Sequence, residues 1–395
     1  MRIWLQICVV LPMLAGVVCA EPTATNQPAG ALITVPVVKP GTNAAPVAAV
    51  KKKEKFEEDF DRGVECLSNT NFSGAAQAFE SVLVVKTNNA EAMCNLALAY
   101  VQLGQQGITA QQQLERWQKA ADLFGKAAQI RTDDKMVYLY WADTLMLIGD
   151  MPIDGKWRLA CYQGAAEKCR KATEIAPQDW EGYHKLAVLT ATKLPDFAVN
   201  DQVRLTLYKE GAALFGKALE QTRFSGEAAP AYANWGSALL RAAILTNDPT
   251  QKEALLREAK DKYEKSAKKV GTLARTWTFW GKTCLDLARL TRSRVDFREA
   301  VDRLNTSLSI DDKDPSVHYS LACAYMQLDH SLSALEALKK CFELDTSKTY
   351  VMSAQKDPDF TALRGQESFE TLLDTYLKRG APAFNPQLRS TPTDR

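Results

Sequence analysis

Between about residues 56 and 345 the chain repeats one pair of apolar signatures seven times. In the first signature a bulky residue is followed three positions later by a second, then at once by a small residue, then by a fourth position three further on. The copies are Met93, Leu96, Ala97, Tyr100; Tyr138, Trp141, Ala142, Leu145; Tyr183, Leu186, Ala187, Thr190; Tyr232, Trp235, Gly236, Leu239; Trp277, Trp280, Gly281, Cys284; and His318, Leu321, Ala322, Tyr325. A degenerate copy, Asp59, Arg62, Gly63, Cys66, precedes them. The second signature is a small residue, a large one four later, and a third position three beyond. It runs Ala75, Phe79, Val82; Ala120, Phe124, Ala127; Ala165, Cys169, Ala172; Gly211, Phe215, Ala218; Ala259, Tyr263, Ser266; Ala300, Leu304, Ser307; and Ala334, Leu338, Cys341. Spacings of three and four put each set on one helix face, and the small residues let two helices approach closely. Turn residues stand between them: Gly104 and Gly107, Pro152 and Gly155, Pro195, and Asn247-Asp248-Pro249.

The distances between the small residues are regular. From a second signature to the next first one they are 22, 22, 22, 25, 22 and 22 residues; within a pair they are 12, 23, 23, 24, 23, 19 and 12. The outer pairs therefore have a 34-residue period, and four middle pairs gain 11 or 12 residues. Eleven residues are about three helical turns, so both helices can lengthen without rotating their packed faces. The middle hairpins should protrude along one edge, and the extra residues near Arg223 to Pro230 should loosen the joint between the fourth and fifth pairs.

This register resembles the tetratricopeptide repeat, over roughly 290 of the 395 residues. HEAT and armadillo arrays have a similar period but lack the small/aromatic register and the return to 34 at both ends. The resemblance implies an all-α fold, a right-handed superhelical α-solenoid of antiparallel helix pairs over residues 51–348. Lys356 to Leu363, followed by Phe369, Leu372 and Leu373, resembles the segment that closes many bacterial arrays, so residues 349–379 should cap the last apolar face. Residues 380–395, with three prolines, read as a tail.

The resemblance also implies a concave groove lined by first-helix residues off the packed face. These are Asn95; Tyr140 and Asp143; His184 and Lys185; Asn234 and Arg241; Arg275, Phe279 and Lys282; and Tyr319. Asn234, Arg275 and Lys282 form a polar, basic set able to grip a peptide carboxylate. Arg289, Arg292, Arg294 and Arg298 add positive charge at the nearby turn. The family's carboxylate clamp for chaperone tails would need Lys and Asn where His184 and Val188 stand and Arg where Phe279 stands, which disfavours that ligand.

Catalytic and cofactor chemistry finds little support. Three histidines, His184, His318 and His330, lie in different repeats without metal-ligand spacing. Gly149 to Trp157 looks briefly like a phosphate loop. It has five residues between glycines, Trp157 where Ser or Thr should bind the metal, and no preceding strand. The net charge of +2 removes the usual argument for nucleic acid. No cofactor or metal is expected. Most tryptophans occupy core positions, while Trp117 and Trp157 lie in the elongated hairpins, freer to anchor a partner.

The N-terminus carries an address. Arg2, the apolar run Ile3 to Val18 and the small residues Val18-Cys19-Ala20 read as a signal peptide over 1–20, with lipidation at Cys19 or a retained anchor as alternatives. Residues 21–50 hold five of the sixteen prolines without helical period, an extended disordered spacer. Seven cysteines would remain after cleavage, with no Cys-x-x-Cys. They read as small core residues; in an oxidising compartment Cys323 and Cys341 could bridge. The expectation is an exported, periplasmic or extracellular scaffold that binds an unknown protein or peptide segment. Membrane contact is limited to an uncleaved anchor. The alternative is a structural envelope protein that self-assembles through protruding hairpins or end faces, and a homo-oligomer is compatible with either.

Overall fold

The computed structural model describes residues 54–107, 109–221 and 225–378, with the backbone alone at 225–227; the expected signal peptide, spacer and tail lie outside the described residues. Helices dominate, and no strand occurs among the described residues. The chain divides into two compact units between Arg223 and Phe224, where the repeat step lengthens to 25.

Among its described residues the first unit holds four antiparallel hairpins: α1 (Lys55–Ser68) with α2 (Phe72–Val85), α3 (Ala90–Gln105) with α4 (Ala110–Ile130), α5 (Lys135–Gly149) with α6 (Gly155–Ile175), and α7 (Trp180–Val188) with α8 (Asp201–Gln221). Asn71, Asn89, Thr109, Asp134, Asp154 and Asp179 each cap the following helix, the side-chain oxygen accepting from a backbone N–H of its first turn. Each such cap contributes about 1 kcal/mol. In the fourth pair the step is 24 instead of 23. The extra residue is absorbed by a π turn at Leu189–Lys193, followed by a 3-10 turn at Leu194–Phe197. Gly211 packs against that turn so closely that a Cβ would stand 2.6 Å from the Ala191 Cβ.

The lengthened hairpins carry their own packing. The helices α4, α6 and α8 have 21 residues against 14 in α2, two further turns. Trp117 and Cys161 in those turns form a separate apolar cluster with Ile148 of α5 and Met151 of the loop after it. Trp117 was expected to be free for a partner and is instead buried over Gly104, its Nε1–H donating to the Val101 carbonyl at 3.1 Å. Its counterpart Tyr162 sits on Gly149, the hydroxyl 2.8 Å from that residue's carbonyl. The Tyr162 hydroxyl thereby satisfies an open carbonyl at the C-terminus of α5, and Trp117 covers the last turn of α3. Trp157 is 41% exposed at the tip.

The second unit holds α9 (Ser225–Leu245) with α10 (Pro249–Lys269), α11 (Ala274–Thr291) with α12 (Arg294–Ile310), and α13 (Pro315–Gln327) with α14 (Ser331–Leu344). Residues 225–230, read above as part of a joint, are the first turns of α9. Then follow α15 (Thr349–Ala354), a 3-10 turn at Pro358–Leu363 and α16 (Glu367–Lys378), with Phe360, Leu363 and Phe369 fully buried. The small residues do what their spacing implies: a Cβ on Gly236 would meet the Tyr263 ring at 2.9 Å, and one on Gly281 would meet Leu304 at 2.6 Å. Cys323 and Cys341, considered above as a bridge, are free and buried. Cys341 fills a repeat contact position and Cys323 follows one, so both serve as core, and burial pushes both thiols well above their ordinary range.

Three hairpins share a device. A cation immediately before the large second-helix residue lies over the tryptophan of its partner helix: Lys168 over Trp141 at 4.3 Å, Lys262 over Trp235 at 4.1 Å, and Arg303 over Trp280 at 4.1 Å. The corresponding pairs elsewhere are Arg62 with Ala78, Leu96 with Leu123, Leu186 with Leu214, and Leu321 with Ala337.

Candidate peptide-binding faces

The expected groove residues fall into one set per unit. In the first, α5 and α7 place Lys185 beside Asp143, the ammonium donating to both carboxylate oxygens at 2.8 and 3.1 Å, with Glu181 at 3.8 Å. Burial disfavours the charged lysine. Asp143 and Glu181 outweigh it and hold the ammonium above its ordinary range. Tyr140 is half-buried, stacked on Phe124 at 6.2 Å, and burial first and then Glu181 and Asp143 push its hydroxyl up. This set is electrically closed on itself.

Two predicted members of the first set are packing residues. His184 is wedged between Trp180 at 5.6 Å and Phe215 at 5.8 Å. Burial and the adjacent Lys185 lower its pKa to about 4, so it is neutral at pH 7, with Nε2 buried and unbonded. Asn95 is fully buried on α3, and neither side-chain amide atom has a hydrogen-bond partner.

In the second unit Phe279 stacks on the buried Tyr263 ring at 6.3 Å. Arg275 and Lys282 flank it, 5.6 and 5.9 Å from the ring centre. Lys282 Nζ donates to the Ser316 hydroxyl at 2.9 Å. Burial lowers its pKa, and Asp314 and Asp286 only partly oppose that. Burial likewise lowers that of Arg275, with Arg241 adding to the shift. Arg241 thus belongs to this set, and Asn234 is half-buried on the same helix.

Tyr319 faces the chain itself. Its hydroxyl donates to Asp357 Oδ2 at 2.7 Å, and its ring meets Tyr350 at 5.0 Å and Phe360 at 5.6 Å. The positive edge expected at the turn after α11 is reduced: Arg289 pairs with Asp359 and Arg294 with Asp329. The sequence reading missed Gln327, whose amide donates to Asp359 Oδ1 at 2.9 Å. It stands eight residues after Tyr319, a spacing that puts both on one helix face. Among the described residues no cluster of His, Cys, Asp and Glu fit to hold a metal occurs, and no helix is long and apolar enough to cross a membrane.

Residues 315–348 match the profile of the tetratricopeptide repeat. No curated protein matches the chain. Among solved structures, the chain is similar to YrrB, described as a TPR protein with an unusual peptide-binding site, at 16% identity and a TM-score of 0.43 over 60% of this chain and 99% of that one. It is similar to MamA at 18% identity and 0.39 over 54% and 94%, and to a thermophilic TPR protein of Thermus thermophilus at 18% and 0.34 over 62% and 99%.

Proposed function

We propose that this chain, which belongs with the tetratricopeptide repeat proteins, is an exported scaffold whose second-unit face receives an acidic segment of a partner protein. The observation that carries the reading is Lys282. It is a cation losing hydration to burial whose hydrogen-bond partner is a neutral hydroxyl, set on the Phe279 ring beside Arg275. A partner carboxylate placed there regains the charge interaction that burial removes, and Phe279 offers apolar contact to the residue next to it. Lys185 in the first unit is no equivalent, because Asp143 already occupies it.

Crosslinking of the purified chain into envelope extracts tests this. The wild type should capture a partner through α11, and the double variant Arg275→Glu, Lys282→Glu should lose it while keeping its helicity; an unchanged set of captured proteins defeats the reading. Export is tested by N-terminal sequencing of the chain from fractionated cells, which should begin at Glu21.

A second reading, self-association through the hairpin tips, is favoured by Trp157, Val199 and Val203, which are 41%, 87% and 40% exposed. The two tips adjoin, since Phe197 lies 5.6 Å from the Arg158 guanidinium and 5.9 Å from the Tyr162 ring. Light scattering of the mature chain and of Trp157→Ser separates this reading from a monomeric scaffold.

A further inference from the structure

The C-terminal cap does more than cover apolar surface. Phe360, Leu363 and Phe369 are fully buried and suffice for that task. The same segment also drives two carboxylates onto groove-side residues of α11 and α13. Asp357 accepts from the Tyr319 hydroxyl at 2.7 Å. Asp359 accepts from the Gln327 amide at 2.9 Å and pairs with the Arg289 guanidinium, which Asp286 steadies at 3.2 Å. The turn is preorganised: the Asp359 N–H donates to Asp357 Oδ1 at 3.0 Å, Arg364 donates to the Asp357 carbonyl at 2.8 Å, and Pro358 fixes the backbone between them. Phe360 then stands edge-on to the Tyr319 ring. A guanidinium, an amide and a phenol aimed at two carboxylates, with an aromatic shelf beside them, make a receptor for an acidic turn followed by an aromatic residue.

We infer that Arg289, Tyr319 and Gln327 form an acidic-turn receptor that the chain's own Asp357–Phe360 keeps filled, and that an Asp-x-Asp-aromatic segment of a partner competes for it. The inference deepens the groove reading: it names the partner's chemistry and adds an internal competitor, so partner affinity is reduced by the fraction of chains whose cap is seated.

The test uses the full mature chain and, as probe, a fluorescent peptide of residues 356–364, with a control peptide carrying Asn at both Asp positions. Anisotropy should show weak binding to the wild type. Affinity should be about tenfold higher for the Asp357→Asn, Asp359→Asn chain, whose resident turn is weakened. The gain should vanish with the control peptide and when Arg289→Ala is added. Equal affinity for both chains, or equal binding of the control peptide, overturns the inference. Hydrogen exchange read in parallel should show faster exchange in α16 with α11 to α14 unchanged. If the double variant melts α13, Asp359→Asn alone replaces it; if that also melts α13, the turn is part of the fold, no resident ligand, and the inference fails. Peptide binding that survives intact while the Arg275→Glu, Lys282→Glu chain captures the same envelope proteins would remove the groove reading and leave this one standing.

Discussion

On the same side of the first helices, one unit sets its lysine against a carboxylate and the other sets its lysine against a hydroxyl. Lys185 is closed by Asp143 at 2.8 Å; Lys282 reaches Ser316 at 2.9 Å. The two distances are nearly equal, so geometry does not separate the faces. Charge does: Lys185 is matched by a carboxylate in contact, and Lys282 carries a charge that burial penalises and an incoming anion would relieve. Binding capacity in such an array is therefore read from which cations lack a carboxylate in contact, rather than from which residues line the face.

The contrast can be broken most strongly with acid. His184 belongs to the first unit alone, and its pKa falls from 6.5 to about 4 on folding. Above pH 6.5 both folded and unfolded forms are neutral. Between pH 6.5 and 4 the unfolded chain takes up a proton that the native chain refuses, so stability falls as pH falls, by about 3 kcal/mol across that window, and levels off below it. Urea unfolding at pH 7 and pH 4.5 should show the loss in the wild type. His184→Phe, which keeps a ring between Trp180 and Phe215, should flatten it; an unchanged slope would place the acid sensitivity elsewhere.

Removal of the partner group comes next. Asp143→Ala leaves Lys185 with Glu181 at 3.8 Å as its remaining counter-ion and should cost about 2 kcal/mol. Lys282→Ala removes a hydrogen bond to a neutral hydroxyl and relieves a buried charge, so its cost should stay below about 1 kcal/mol. Equal losses in urea titrations would mean the two faces are energetically alike and would undercut the functional distinction between them.

How far the sequence showed this depends on the kind of interaction. The helical pairs were legible because Gly236 and Gly281 have one way to satisfy their spacing, a large residue of the second helix pressed onto them. Even the one-residue excess near Ala187 was countable, although only the structure shows it as a π turn. The site was less legible. Lys185 and Asp143 are 42 residues apart, and Arg289 and Asp359 are 70 apart, and no periodicity links positions whose contact depends on how successive hairpins stack. Trp117 was misread for a related reason. Its place in an insert suggested freedom, yet the insert of each hairpin packs on its neighbour's and buries the indole.

A smaller effect tests whether the repeat has two interchangeable interiors. In six of the seven hairpins, where the first helix carries Trp the residue before the large second-helix position is Lys or Arg, and where it carries Leu that residue is Leu or Ala; the degenerate first hairpin has Arg62 with Ala78. The two positions therefore vary together within this one chain, and the physical link is the cation over the indole face. In α9 and α10 the pair is Trp235 and Lys262, with Lys262 side chain only 11% exposed, so the attraction is weakly screened. A double-mutant cycle with Trp235→Leu and Lys262→Leu should return a coupling of about 0.5–1 kcal/mol. Each single change leaves half of a pair: a lysine stem beside leucine, or a leucine under an indole with its cation gone. The double variant reproduces the Leu186 and Leu214 arrangement of the fourth hairpin and should unfold at nearly the temperature of the wild type. A double variant as unstable as the sum of the singles would show that the two interiors are not exchangeable and that the tryptophan is required by its other neighbours, Tyr232 among them at 6.4 Å.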